Sequence, residues 1–147
     1  MAYFICPNCK RRSIDEDGRE GLTHQAVGCA SCGFGFLFEL MDDYYPGPAT
    51  AFVVCDRNGR VLAAGRGVFE LTGWPERELI GRHVTEALGL DGATGPSPAE
   101  VALEWGVRRL DQQVALATRA GVQKDVRADF FPAYDEDGGL LVAISPR

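Results

Sequence analysis

Residues 51–88, AFVVCDRNGRVLAAGRGVFELTGWPERELIGRHVTEAL, decide the fold. An apolar run, Ala51 to Cys55, meets a polar turn, Asp56-Arg57-Asn58-Gly59, and then a second apolar run, Val61 to Ala64. Asn-Gly between two such runs signals a hairpin, because both residues tolerate the positive φ of a tight turn. Two short helical pieces follow. Val68 and Leu71 share one helical face, with Gly73 as a stop. Pro75 suits a first helical turn, Glu76 and Glu78 lie at the positive end of the helix dipole, and Gly81 stops the second piece.

Beyond this stretch, Gly89 to Pro96 reads as a loop. Ser97-Pro98-Ala99-Glu100 is a helix start in which Ser97 caps and Glu100 reaches back as a capping box. Val101 and Trp105, four apart, give that helix its inward face, and Gly106 ends it. Three strands complete the chain. In Gln112 to Arg119, Val114, Leu116 and Thr118 alternate with Gln113, Ala115 and Ala117. After the Ala120-Gly121 turn, Val122, Val126, Ala128 and Phe130 share one face. Gln123, Asp125, Arg127 and Asp129 share the other, outward face. The turn 135–139 leads into Leu140 to Ile144. The order is two strands, helices, three strands.

At these residues the chain resembles the PAS sensor family. The likeness rests on the turn Asp56…Gly59, on Leu71-Thr72-Gly73-Trp74, and on Glu78-Leu79-Ile80-Gly81-Arg82. It covers residues 51–147 and implies an α+β domain: a five-stranded antiparallel sheet with helices on one face. One departure is local. Where many family members carry Asn after the second strand, this chain has Ala64-Gly65-Arg66-Gly67.

The resemblance also implies either a small-molecule pocket between helices and sheet or a surface for partners. Val54, Leu71, Trp74, Leu88, Val101, Trp105, Leu116, Phe130 and Val142 are the residues to line such a pocket. The same set would serve a packed core without a ligand. A flavin photosensor of this family needs a reactive Cys in a motif absent here, and Cys55 reads as a small core filler. A haem-binding relative carries its axial His on the helix that is Ser97 to Gly106 here, which holds none. His83 reads as a capping or surface histidine. Neither flavin nor haem is expected.

The first forty residues have a different logic. Cys6-Pro7-Asn8-Cys9 and Cys29-Ala30-Ser31-Cys32 are two CxxC turns in a segment too short to hold itself together by apolar burial. Cys6, Cys9, Cys29 and Cys32 suit a tetrahedral thiolate site for a structural Zn²⁺, with Zn–S near ~2.3 Å and backbone N–H groups directed at the sulfurs. Iron is chemically allowed in the same ligand set. Phe34, Phe36, Phe38 and Leu40 alternate as a strand, Leu22 to Val27 is its partner, and Ser13 to Gly21 reads as a polar loop. Residues 1–40 thus resemble a zinc ribbon. His24 reads as a surface residue beside four sufficient thiolates. Lys10-Arg11-Arg12 is offset by Asp15, Glu16, Asp17 and Glu20. Residues 41–50, with Pro46-Gly47-Pro48, form the linker, in which Tyr44 and Tyr45 are candidate contact residues.

Composition narrows the function. The chain has 147 residues and a net charge of −6, which disfavours general nucleic-acid binding. No apolar run approaches the ~20 residues a membrane span needs. The start has no secretory-signal pattern, so a cytoplasmic location is expected. Only Lys10 and Lys124 are lysines, a bias towards Arg that fits a bacterial source. No nucleophile–base set, carboxylate pair or phosphate loop stands out, so no enzyme is expected. The expected function is a small signalling protein acting through a protein partner or as a homodimer. The alternative is a transcription regulator whose ribbon contacts nucleic acid.

Overall fold

The computed structural model of the chain describes residues 2–9, 12–15, 38–40, 46–92, 95–133 and 139–146. The first three strands are β1 (Ala2–Ile5), β2 (Arg12–Asp15) and β3 (Phe38–Leu40), antiparallel in the order β2-β1-β3. Ile5 stands opposite both Arg12 and Phe38. The Cys6–Cys9 turn therefore follows directly from the central strand of this small sheet. Ser13 to Asp15 belong to a strand and not to the expected polar loop. Backbone pairing with β1 defines them, and a four-residue strand with Ile14 as its single apolar residue is too short to show a period. Cys29, Cys32, His24 and the expected strand Leu22 to Val27 lie outside the described residues, as do Tyr44 and Tyr45.

The larger sheet is built from β4 (Ala51–Cys55), β5 (Val61–Ala64), β6 (Gly89–Asp91), β7 (Arg109–Ala117), β8 (Gln123–Pro132) and β9 (Leu140–Pro146). Its order is β5-β4-β9-β8-β7-β6, antiparallel throughout. Four helices lie between its strands in sequence: α1 (Val68–Thr72), α2 (Glu76–Leu79), α3 (Val84–Leu88) and α4 (Pro98–Trp105). The sheet has six strands where five were expected. The extra one, β6, falls in the expected loop and pairs with β7 through Gly89 and Asp91. Leu90 between them takes φ 59° and is fully buried, so core burial holds a conformation that a leucine seldom adopts.

The β4–β5 hairpin forms at its expected place by other means. Asp56 Oδ1 accepts from the backbone N–H groups of Asn58 (2.8 Å) and Arg60 (3.0 Å). Gly59 takes φ 81°, whereas Asn58 is not among the residues with positive φ. One left-handed residue and an Asp cap make this turn.

All five residues of β4 are buried, as are the first six of β9. Burial on both faces explains why Ala51 to Cys55 is a continuous apolar run and not an alternating one. Ala51, Val53 and Cys55 pack on the helix side with Val68, Leu79, Val84 and Leu88. Phe52 and Val54 pack on the opposite, outer face with Ala63, Phe131, Leu141, Ala143 and Ile5. Thus the last residue of β1 is part of the larger sheet's own packing.

Candidate functional site

Two regions bear on function: the core under the helices and the seat of the Cys6–Cys9 turn. In the core, Leu88, Leu116, Phe130 and Val142 are fully buried together, and Leu71 and Trp74 pack against them half-buried. Three expected lining residues go elsewhere. Val54 belongs to the outer face, because the period of β4 sends Val53 to the helices in its place. Trp105 is 70% exposed, and Val101 is half-buried outside the cluster. The inward face of α4 is made by Ala99 and Ala102, with Leu103 beside them. Small residues three apart let the helix lie close on the sheet, which turns the larger Trp105 outward.

The start of α4 also differs. Ser97 makes no capping hydrogen bond, and its Oγ is buried without a partner among the described residues. Trp74 Nε1 is in the same position. Two guanidinium groups lie near the Trp74 ring, Arg82 at 5.1 Å and Arg119 at 5.8 Å from its centroid. Arg119 also pairs with Glu78 at 2.8 Å, tying α2 to the turn between β7 and β8. Glu76 Oε2 accepts the backbone N–H of Ala64 at 2.8 Å, so α2 caps the edge strand β5.

His83 is a capping residue. Its Nδ1 accepts from the backbone N–H of Thr85 at the start of α3, and its ring rests on Gly59, where a Cβ would come within 2.8 Å of Nε2. Cys55 is wholly buried in β4. Burial, and secondarily the charge of Asp56, push its thiol far above the usual range, which leaves it an unreactive packing residue.

At the other region, Cys6 is fully buried, Cys9 is half-buried, and the Cys9 backbone N–H points at Cys6 Sγ at 3.5 Å. An N–H directed at a sulfur across an i, i+3 turn is the arrangement expected of a thiolate knuckle. These two sulfurs fit a soft or borderline metal that other thiolates complete. Among the described residues, no group of three or more metal-ligating side chains occurs.

The turn is seated on Gly65, between β5 and α1. A Cβ at Gly65 would collide with the Pro7 carbonyl oxygen and lie 2.9 Å from its carbon and 3.2 Å from Asn8 Cα. Gly65 is not among the glycines with positive φ. It is glycine for close approach and not for backbone freedom. Gly65 N–H donates to Phe52 O (2.9 Å), and Gly65 O accepts from Val68 N (3.4 Å), so the seat is wired into β4 and α1. An open cleft of about 310 Å³ runs beside it, lined by Asn8, Cys9, Pro48, Ala49, Thr50, Arg66 and Gly67. Nothing in the sequence around Gly65 signals this role, because the backbone that lies against it, at Pro7 and Asn8, is distant in the chain.

No family model matches the chain, and no curated protein matches it. Solved structures do. A PAS domain from Colwellia psychrerythraea superposes with a TM-score of 0.51 at 21% identity, covering 64% of this chain and 83% of that one. The PAS domain of nitrogen regulation protein NR(II) from Vibrio parahaemolyticus gives 0.53 at 17%, covering 69% and 92%. The light-state dimer of the fungal blue-light photoreceptor Vivid gives 0.57 at 15%, covering 71% and 82%. The six-stranded sheet and its helices thus have the PAS-type fold. No helix among the described residues is long and apolar enough to cross a membrane.

Proposed function

We propose that this chain is a small cytoplasmic signalling protein in which a PAS-type domain and an N-terminal zinc ribbon act as one unit by protein contact, without catalysis. The observation that carries this reading is the seating of the Cys6-Pro7-Asn8-Cys9 turn on Gly65, backbone against backbone. A metal-ligating turn fixed to the junction of β5 and α1 suits a protein whose two parts report on each other. Cys6 and Cys9 hold one side of the Zn²⁺, and Cys29 and Cys32 complete four thiolates. Such a site is structural, because no coordination position is left for substrate.

The partner is a protein, with a second copy of this chain as the first candidate. Ala115 and Ala117 on β7 are small and half-buried, and they offer close approach near the β6 edge. Tyr44 and Tyr45 of the linker supply aromatic groups of the type interfaces favour. Any small ligand belongs under the helices, against Leu71, Leu88, Leu116, Phe130 and Val142, with flavin and haem not expected there. Sedimentation of the unmodified protein at tens of micromolar tests the assembly. A dimer weakened by Tyr44→Ala with Tyr45→Ala, at unchanged metal content, is expected. A monomer removes self-association and leaves a different protein as the partner.

A further inference from the structure

We infer that the surface formed by Trp74, Arg82, Arg119 and Lys124 docks an acidic segment of a partner protein. The inference rests on the protein-contact reading above and is independent of the metal.

The cations converge from separate elements. Arg82 lies between α2 and α3 and Arg119 in the turn between β7 and β8, yet both guanidinium groups lie within cation–π range of the same Trp74 ring. Lys124, near the start of β8, reaches the end of α1, where its Nζ donates to Leu71 O at 3.4 Å. The alternation of β8 keeps its neighbour Asp125 away. Lys124 stands opposite Leu116, a residue of the helix-side core, so Asp125 faces the other side of the sheet. On α2, Glu76 is taken by the Ala64 N–H, and Glu78 pairs with Arg119. Three cations are thus set against the single carboxylate of Glu78, in a chain whose net charge is −6. Acidic groups of a partner match that local excess.

The charges are fixed in place before any partner arrives. The Arg119 backbone N–H donates to Thr72 O at 2.9 Å, and the Trp74 N–H donates to Oγ1 of the same, fully buried Thr72 at 3.1 Å. Arg82 Nε donates to Glu78 O at 2.7 Å. Such preorganisation lowers the ordering cost of binding. The charges are also open to a partner. The Arg119 side chain is 52% exposed, and Arg82 and Lys124 are exposed as well. Among the described residues, Arg82 spends its Nε and Arg119 one Nη on hydrogen bonds. The rest of each guanidinium fork is left for carboxylates. A surface this open suits a segment laid across it, since small-molecule sites enclose most of their ligand. Val122 closes the same turn as Arg119 and is 59% exposed, which adds an apolar contact beside the charges.

Calorimetric titration of the full chain with a short peptide of alternating Glu and Ser, at low salt, tests this. Saturable binding is expected, and the same peptide with Gln for Glu should not bind. Arg82→Gln and Arg119→Gln should each weaken binding about tenfold, the loss of one charge-assisted pair. Arg57→Gln, at an exposed arginine of the β4–β5 turn, should leave it unchanged. Glu78→Gln removes the competing carboxylate and should tighten binding several-fold. That sign separates docking from a purely structural ion pair, for which Glu78→Gln and Arg119→Gln act alike. Arg82→Gln and Glu78→Gln carry the test if Arg119→Gln does not fold. No saturable binding, an equal loss in Arg57→Gln, or weaker binding in Glu78→Gln overturns the inference. Peptide binding by a chain that sediments as a monomer upholds it and removes only a second copy as the occupant.

Discussion

The carboxylate of Asp129 accepts the backbone N–H of Asp111 at 2.7 Å across the β7–β8 ladder. Asp111 takes φ 59°, at the point where the register of that ladder shifts between Arg109 and Gln112. The alternation of β8 places Asp129 outward with Gln123, Asp125 and Arg127, yet it is 5% exposed. A bulge that draws a backbone N–H out of the ladder needs an acceptor, and Asp129 supplies it.

Asp129→Ala should therefore cost about 1–3 kcal/mol, the range for leaving a buried donor unpaired. Asp129→Asn keeps an acceptor oxygen and should cost clearly less. Denaturant unfolding of the two variants checks the ranking, and equal losses would mean that the acceptor geometry is not what matters.

Trp105 supplies a second test, because its expected and observed positions differ so widely. A core tryptophan truncated to Ala costs about 3–5 kcal/mol. At 70% exposure, Trp105→Ala should stay within about 0.5 kcal/mol of the parent. The same variant should remove the readily quenched part of the tryptophan fluorescence, leaving Trp74 with its two neighbouring arginines. A large loss of stability would return Trp105 to the core.

Cys55 makes a pH prediction. Its folded pKa is raised by burial, so the native state keeps a proton that the unfolded chain gives up as pH climbs. Stability from this group is whole below the unfolded thiol pKa of about 8.5 and declines above it, by up to about 1.4 kcal/mol per pH unit. Cys55→Ala should therefore have a shallower alkaline limb than the parent, whatever its loss from packing. Thiol reagents should leave native Cys55 unlabelled. Ready labelling under native conditions would contradict its burial.

The fold was legible where sequence and backbone agree over short range. The apolar runs flanking Asp56 to Gly59, the Gly73 and Gly81 stops, and the alternation in β7 and β8 each predict their element. Other features depend on partners distant in sequence. The inward face of α4 is Ala99 and Ala102, which carry little apolar weight beside Val101 and Trp105, so periodicity selects the wrong stripe. The three residues of β6 are too few to show a period, and only pairing with β7 makes them a strand. Val54 is apolar because the outer face is covered, a fact that its own strand does not reveal. Gly65 is the extreme case: without a positive φ to explain, its identity has meaning only beside Pro7. Of the four thiolate positions, Cys6 and Cys9 come together in the described turn, while Cys29 and Cys32 lie outside the described residues.

Cys29→Ser should remove order from residues 1–40 while the β4–β9 strands stay paired. Zinc binding to such sites is worth about 10–16 kcal/mol, most of it coupled to ordering the chain. Circular dichroism with and without added zinc, on parent and variant, checks the claim. Equal unfolding of both sheets would mean that the two parts do not fold separately.

The central claim is that a metal-bearing N-terminal unit sits on a PAS-type domain, and native mass spectrometry tests it most directly. One spectrum of the purified chain reports metal, small ligand and oligomeric state together. We predict one zinc ion per chain, absent from Cys29→Ser, and no flavin or haem. A chain that carries no metal, or iron with visible colour, would contradict the account.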